Sequence, residues 1–514
     1  MADLGARVDA LLEELEGELA DGASAELAEA RAALAGPLRV AVAGWMKVGK
    51  STLLNALLGE PLAATDAGEC TRALTVYRYG AEPAVVVVDD DGVRHERPVA
   101  RAAGGELEID LGLGPERVRL VEVSWPLAAL GGVTYLDTPG LESPSPGLAA
   151  RARRALLGEL AGVGVDAVVY LLRHLHASDL SFLEAFAVAP RADAGPVNAV
   201  GVLARADEVG GGRLDASAAA ERVADRYRHD PRLRRLVQTV VPVNGLLGVA
   251  AGRLSADDRA ALGAVAELAP ERRAVVLRSA ELFVAAPEPA AVAPLHRAEL
   301  VRRLGPYGVR LAAGWLASGS GAEAQVGEVL WRASGVPELR ALLQERFAAR
   351  AGALKARSAL LAAERAAASC EGPQRQRLLA AVEAVAANAP ELAELGVLNL
   401  LRLAPPGLPA DLLEEAEGLL GGYGAGAAER LGVPSTAGPS ALAEAARAAA
   451  QRWRGISESP WGDLGAARTA RVVLRACEGL VAALSDGGGP PPAPGPADQQ
   501  RGSPTSAGQP DGGA

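Results

Sequence analysis

The octapeptide Gly44-Trp45-Met46-Lys47-Val48-Gly49-Lys50-Ser51 constrains this chain more than any other stretch, because an apolar strand-like run leads into it and a helix-like run leaves it. Leu38, Val40 and Val42 alternate with small or polar neighbours, the period of a strand, whereas Leu53, Leu54, Leu57 and Leu58 return at helical spacing. A G-x-x-x-x-G-K-S turn in that setting is a phosphate-binding loop. Its glycines let main-chain N–H groups wrap a phosphate, Lys50 reaches β- and γ-phosphate oxygens, and the Ser51 hydroxyl is placed to hold Mg2+. The helix opening at Lys50 turns its positive dipole end toward the same point. The octapeptide and Thr52 after it are therefore candidate nucleotide contacts.

Later segments say which nucleotide. Val133 to Leu136 read as a buried strand ending in Asp137-Thr138-Pro139-Gly140, where the Asp137 carboxylate reaches Mg2+ through water and the Gly140 N–H senses a γ-phosphate. Thr71, in Glu69-Cys70-Thr71-Arg72, lies between these elements and is the candidate second Mg2+ ligand; the alternative is an ordinary loop threonine. Val200 to Leu203 form another apolar strand, ending in Ala204-Arg205-Ala206-Asp207. A carboxylate there accepts both N1–H and the exocyclic amine of guanine, a donor pair that adenine does not present, so GTP is favoured over ATP. The usual guanine motif is N/T-K-x-D, from which Ala204 and Arg205 depart. Arg205, planar and weakly hydrated, can still lie over the base. After a strand at Val240 to Val243, Asn244-Gly245 complete the base pocket.

These residues resemble the bacterial dynamin-like GTPases, in particular the soluble actinobacterial type that includes the mycobacterial isoniazid-inducible proteins. The resemblance spans about residues 1 to 485. It is carried by Lys47 to Glu60, Thr65 to Arg72, Asp137 to Gly140 and Arg303-Leu304-Gly305-Pro306-Tyr307-Gly308. It implies a G domain on a helical stalk, GTP hydrolysis with Mg2+, and G-domain pairing as a homodimer or with another dynamin-like protein. It also implies membrane binding at a stalk tip. The implied catalytic set is Lys47, Lys50 and Thr71. Leu141, after Gly140, has no polar group to orient water. In dynamins a P-loop serine and a bound monovalent cation neutralise charge between the β- and γ-phosphates; Lys47 stands at that serine's position. Its ammonium either replaces the cation, as an arginine finger does in guanylate-binding proteins, or points to solvent or a partner.

The expected fold class is α/β: a P-loop GTPase domain with a mixed, mostly parallel sheet and helices on both faces, plus an α-helical stalk or bundle. With 514 residues the chain exceeds one ordinary core. The expected division is an N-terminal helix (1–36) packing with the stalk, a G domain (37–350), a helical stalk (351–486) and a disordered Pro/Gly-rich tail (487–514). Leu4, Val8, Leu11, Leu15 and Leu19 mark the first helix, and strand-and-helix alternation is expected from Leu38 to about residue 350. A hairpin is expected around Asp91-Gly92, between Val85 to Val88 and Val93 to Val99.

A formal charge of −11 argues against a nucleic-acid surface and disfavours polybasic attachment to lipid. Three cysteines without metal-ligand spacing suit a reducing cytoplasm. No secretory signal or transmembrane run is found, so the expected location is cytoplasmic, peripheral at the inner membrane face. The candidate membrane contact is Leu395 to Leu408, where leucines crowd a segment broken by Pro405-Pro406-Gly407; the alternative is a buried turn. His174-Leu175-His176 lacks the partners of a metal site. Trp45 either covers the nucleotide or meets a partner G domain, and the other tryptophans read as core. Two rival functions share the P-loop: an Era-like assembly GTPase, which normally carries a basic RNA-binding module, and a nucleotide-gated interaction protein with negligible hydrolysis.

Overall fold

The computed structural model describes residues 3–19, 21–64, 73–102, 105–139, 164–187, 196–403, 405–459 and 463–485. Its strands are β1 (Leu38–Gly44), β2 (Thr75–Tyr79), β3 (Ala84–Asp89), β4 (Arg94–Arg97), β5 (Ala100–Arg101), β6 (Leu107–Glu108), β7 (Val118–Trp125), β8 (Val133–Asp137), β9 (Ala167–Leu172), β10 (Ala199–Ala204) and β11 (Val240–Val243). Nine of them form one sheet in the order β11-β10-β9-β1-β8-β2-β7-β3-β4, and β5 and β6 pair apart. From β11 to β8 every pairing is parallel; β2 is antiparallel to β8, and the β3–β4 hairpin closes the far edge. This is the mixed, mostly parallel α/β sheet that the sequence implies.

Register positions the site. Val42 stands beside Asp137 and Gly44 beside Leu171, so the carboxyl ends of β1, β8 and β9 lie side by side. Ligands of such sheets bind at that end. β9 and β10 are buried along their whole length, as strands covered on both faces must be. One covering layer holds Leu54 and Leu57 of helix Lys50–Leu58, together with Leu339, Leu343 and Phe347. The opposite layer holds Tyr170, Phe182, Leu203 and Leu233.

Three features depart from the sequence reading. The first residues form two helices, Leu4–Glu16 and Asp21–Ala35, rather than one. Gly17 ends the first helix, and Arg31 of the second reaches back to Asp9 at 2.9 Å and Glu16 at 3.1 Å. Both helices pack on Ala351–Ala368, and Leu4–Glu16 also on Gly372–Ala387. Alternation stops at β11, and the described chain beyond it is helical. There apolar residues return every fourth position, as at Ala261 and Val265 or Leu300 and Leu304, building a separate core.

The third concerns Leu395 to Leu408, for which the sequence left a membrane contact and a buried turn open. Leu395, Val397, Leu398, Leu401 and Leu408 are buried, all but Leu408 in the core beneath the sheet, and Leu400 and Leu403 are half-buried. Helix Pro390–Leu403 packs at the amino-terminal ends of β10 and β11, where Asn399 Oδ1 accepts from the Val197 N–H at 3.3 Å and Arg402 donates to Gln238 O at 3.1 Å. Arg402 also pairs with Glu417. The leucines serve the protein's own core and form no exposed apolar tip. Among the described residues no helix is long and apolar enough to cross a membrane.

Candidate nucleotide site

The loop after β1 is shaped by main-chain demands. Gly44 has φ 141°, and a Cβ there would lie 2.7 Å from Leu171 O, so the strand end tolerates no side chain. Gly49 has φ 108° and immediately precedes helix Lys50–Leu58. Lys50 is buried and donates to Trp45 O at 3.0 Å and Gly44 O at 3.3 Å, curling its ammonium into the loop. Burial pushes this ammonium below the ordinary lysine range, against the opposing pull of Asp137.

Ser51 Oγ donates to Asp137 Oδ2 at 2.7 Å, joining the helix start to the end of β8. Asp137 Oδ1 is buried without a partner. Burial raises the Asp137 pKa, while Lys50 and the Ser51 hydrogen bond oppose the rise. A hydroxyl beside a buried carboxylate with an unmatched oxygen is a donor set that fits a hard cation. Mg2+ would be held by Ser51, with Asp137 acting through water. Among the described residues no larger cluster of His, Cys, Asp or Glu forms a metal cage, and the rings of His174 and His176 meet edge-on, 6.3 Å apart.

A cleft of roughly 240 Å³ adjoins the loop, lined by Val48, Thr52, Arg205, Asp207, Asn244 and Leu246 among others. Arg205 bridges two loops, donating to Lys47 O at 2.7 Å and to Glu208 at 2.8 Å. Burial raises the Asp207 pKa, with Glu208 adding to the rise and Arg205 opposing it. Asn244 is buried at the start of helix Gly245–Ala251, its Oδ1 accepting from Leu247 N–H at 3.1 Å and its own N–H donating to Ser334 O at 2.8 Å. Its Nδ2 has no partner, leaving a donor at the cleft.

Lys50, Ser51 and Asp137 thus meet at one point, and Val48, Gly49, Thr52, Arg205, Asp207 and Asn244 line the adjoining cleft. Met46 and the Lys47 side chain are exposed, and Trp45 is held away from the cleft. Thr71 and Gly140 lie outside the described residues. Sequence reasoning missed Asp179, which is buried and accepts from Trp45 Nε1 and Tyr170 OH, both at 2.7 Å, and from His176 N–H at 2.8 Å. Its only local signal is an acid in the first turn of helix Ala177–Ala187.

The family model described as the Dynamin family matches residues 40–184. The isoniazid-induced protein IniC of Mycobacterium tuberculosis is 35% identical over 441 residues, 86% of this chain and 89% of that protein. The bacterial dynamin-like protein of Nostoc punctiforme is 37% identical over 107 residues, 19% of this chain and 15% of that protein. A solved oligomerised bacterial dynamin pair, described as a mechanism for long-range sensing and tethering of membranes, aligns over 94% of this chain and 75% of its own at 12% identity, with a TM-score of 0.31.

Proposed function

This chain belongs to the bacterial dynamin-like proteins and carries a dynamin-family GTPase domain, and from that premise we propose that it hydrolyses GTP to GDP and phosphate. The observation that carries the reading is the Ser51–Asp137 contact beside the buried Lys50 ammonium, which gathers a hydroxyl, a carboxylate and a cation at the mouth of a phosphate loop. When bound, Mg2+ supplies neutralising charge to the β- and γ-phosphates. Lys50 and the loop N–H groups hold the phosphate oxygens, and Asp207, Arg205 and Asn244 read the base. Thr71 contributes the second Mg2+ ligand and the Gly140 N–H senses the γ-phosphate. Lys47 places its ammonium against the charge that develops during transfer, a part its exposed side chain is free to take.

The further reading is nucleotide-dependent association through G domains, as a homodimer or with another dynamin-like protein, and membrane remodelling or maintenance at the cytoplasmic face. The test is multiple-turnover phosphate release from GTP and ATP, with and without Mg2+ and liposomes. Turnover of GTP that needs Mg2+ and disappears in Lys50→Ala is the expected result. Tight GTP binding without phosphate release would favour a nucleotide-gated interaction protein instead.

A further inference from the structure

Helix Pro294–Ala317 is broken at Gly305, whose φ of 67° and ψ of 167° are not helical. The cause is local, because Pro306 follows and its ring disfavours helical geometry in the residue before it. A positive φ with extended ψ is open only to glycine, since a Cβ there meets its own main chain.

The break lies behind two residues of the cleft. A Cβ on Gly305 would stand 3.6 Å from Asp207 Oδ2 and 3.6 Å from Leu246 Cδ2, and both residues line the cleft. The helix around the break is tied down on each side. Tyr307 OH meets Ser217 Oγ at 2.6 Å. Arg310 donates to Leu277 O at 2.7 Å and Arg278 O at 2.8 Å, and reaches Gly212 O in the loop that follows Asp207. Gly308 approaches helix Gly245–Ala251 so closely that a Cβ would lie 2.5 Å from Leu247 Cδ2. On the other side, Arg303 donates to Asp258 at 2.7 Å.

We propose that the Gly305-Pro306 break is part of the base-recognition site: its bare backbone forms the wall against which the Asp207 carboxylate rests, fixing the orientation that distinguishes guanine from hypoxanthine. The inference rests on the reading of this cleft as a guanine nucleotide site. Gly305 acts through Asp207 and is a positioning residue. Guanine offers N1–H and an exocyclic amine, whereas hypoxanthine offers only N1–H, and the phosphates of GTP and ITP are identical. The GTP-to-ITP affinity ratio therefore reports the second hydrogen bond of Asp207. A helix that merely supported the fold would, when loosened, weaken both nucleotides alike.

The experiment is calorimetric binding of GTP, ITP and ATP, with Mg2+, to the full chain and to Gly305→Ala and Pro306→Ala. Pro306 is exposed, so its replacement removes the ring that disfavours helical geometry at Gly305 while emptying no packing, and it decides the matter should Gly305→Ala not fold. The expected result is a GTP-to-ITP ratio lowered about fivefold or more, with ITP affinity kept within about twofold. Equal weakening of both nucleotides, or an unchanged ratio in the folded variants, overturns the proposal. A wild-type chain that binds GTP, ITP and ATP alike overturns the guanine reading itself, and the proposal with it.

Discussion

The main-chain carbonyl of Lys47 accepts a hydrogen bond from Arg205 Nη2 at 2.7 Å, so the loop after β1 and the loop after β10 are tied directly. Lys47 and Arg205 have φ of 61° and 54°, and among the described residues they are the only non-glycines with positive φ. Such backbone holds about 1–3 kcal/mol of strain and persists where its surroundings fix it. Here each strained turn holds the other.

Arg205→Ala should weaken GTP about tenfold, or ~1.4 kcal/mol, by freeing both loops. The melting temperature should move little, because the side chain is half-buried at the surface and no core packing depends on it. Calorimetry decides, and unchanged affinity would show that the tie has no part in binding.

Lys47→Ala should slow turnover about tenfold or more while KM changes by less than about threefold, since its ammonium would act in the transition state rather than the ground state. Wild-type turnover should be largely independent of potassium. Equal rates in mutant and wild type would return Lys47 to solvent or a partner.

Asp137 sets a pH dependence. Its folded-state pKa lies above the unfolded value, so its contribution to stability is fully present below the unfolded pKa and is lost as pH rises through the folded one. Asp137→Asn should therefore melt higher than wild type at neutral pH but not in acid, and should lose the stabilisation that Mg2+ with GTP gives wild type. Calorimetric scans across pH check the sign. A variant less stable than wild type at neutral pH would contradict the burial argument.

Leu398→Asp should lower stability by several kcal/mol, on the order of 3 or more, because an unpaired charge would enter the core beneath the sheet. A variant that keeps its melting temperature but loses liposome binding would restore the membrane reading of this segment.

What was legible in the sequence was local. The phosphate loop, the Asp137 turn and the end of β10 each carry their chemistry within a few residues, so spacing and flanking periodicity locate them. Asp179 meets Trp45 across 134 positions, and nothing around either residue announces the pair. Gly305 was visible in a family-like stretch, but its place beside Asp207 depends on how a distant helix packs. Leu395 to Leu408 stay open between a membrane contact and a buried turn in the sequence because lipid and a protein interior reward apolar surface in the same way. The second N-terminal helix is hidden because the leucine spacing runs on past Gly17 to Leu19 as though one helix continued.

The helical hairpin at Leu4–Glu16 and Asp21–Ala35 has a consequence for how the chain is made. Val8, Leu12 and Leu15 bury against Ala356, Ala363, Leu378 and Val382. Those partners leave the ribosome roughly 300 residues after the hairpin, which at about 5–20 residues per second means a wait of roughly a quarter of a minute to a minute. Through that interval the leucine face has only its own hairpin for cover. The hairpin is thus made before the surface it docks on. Nascent chains arrested before Ala351 should offer this face to chaperones, and chains released past Val382 should withdraw it.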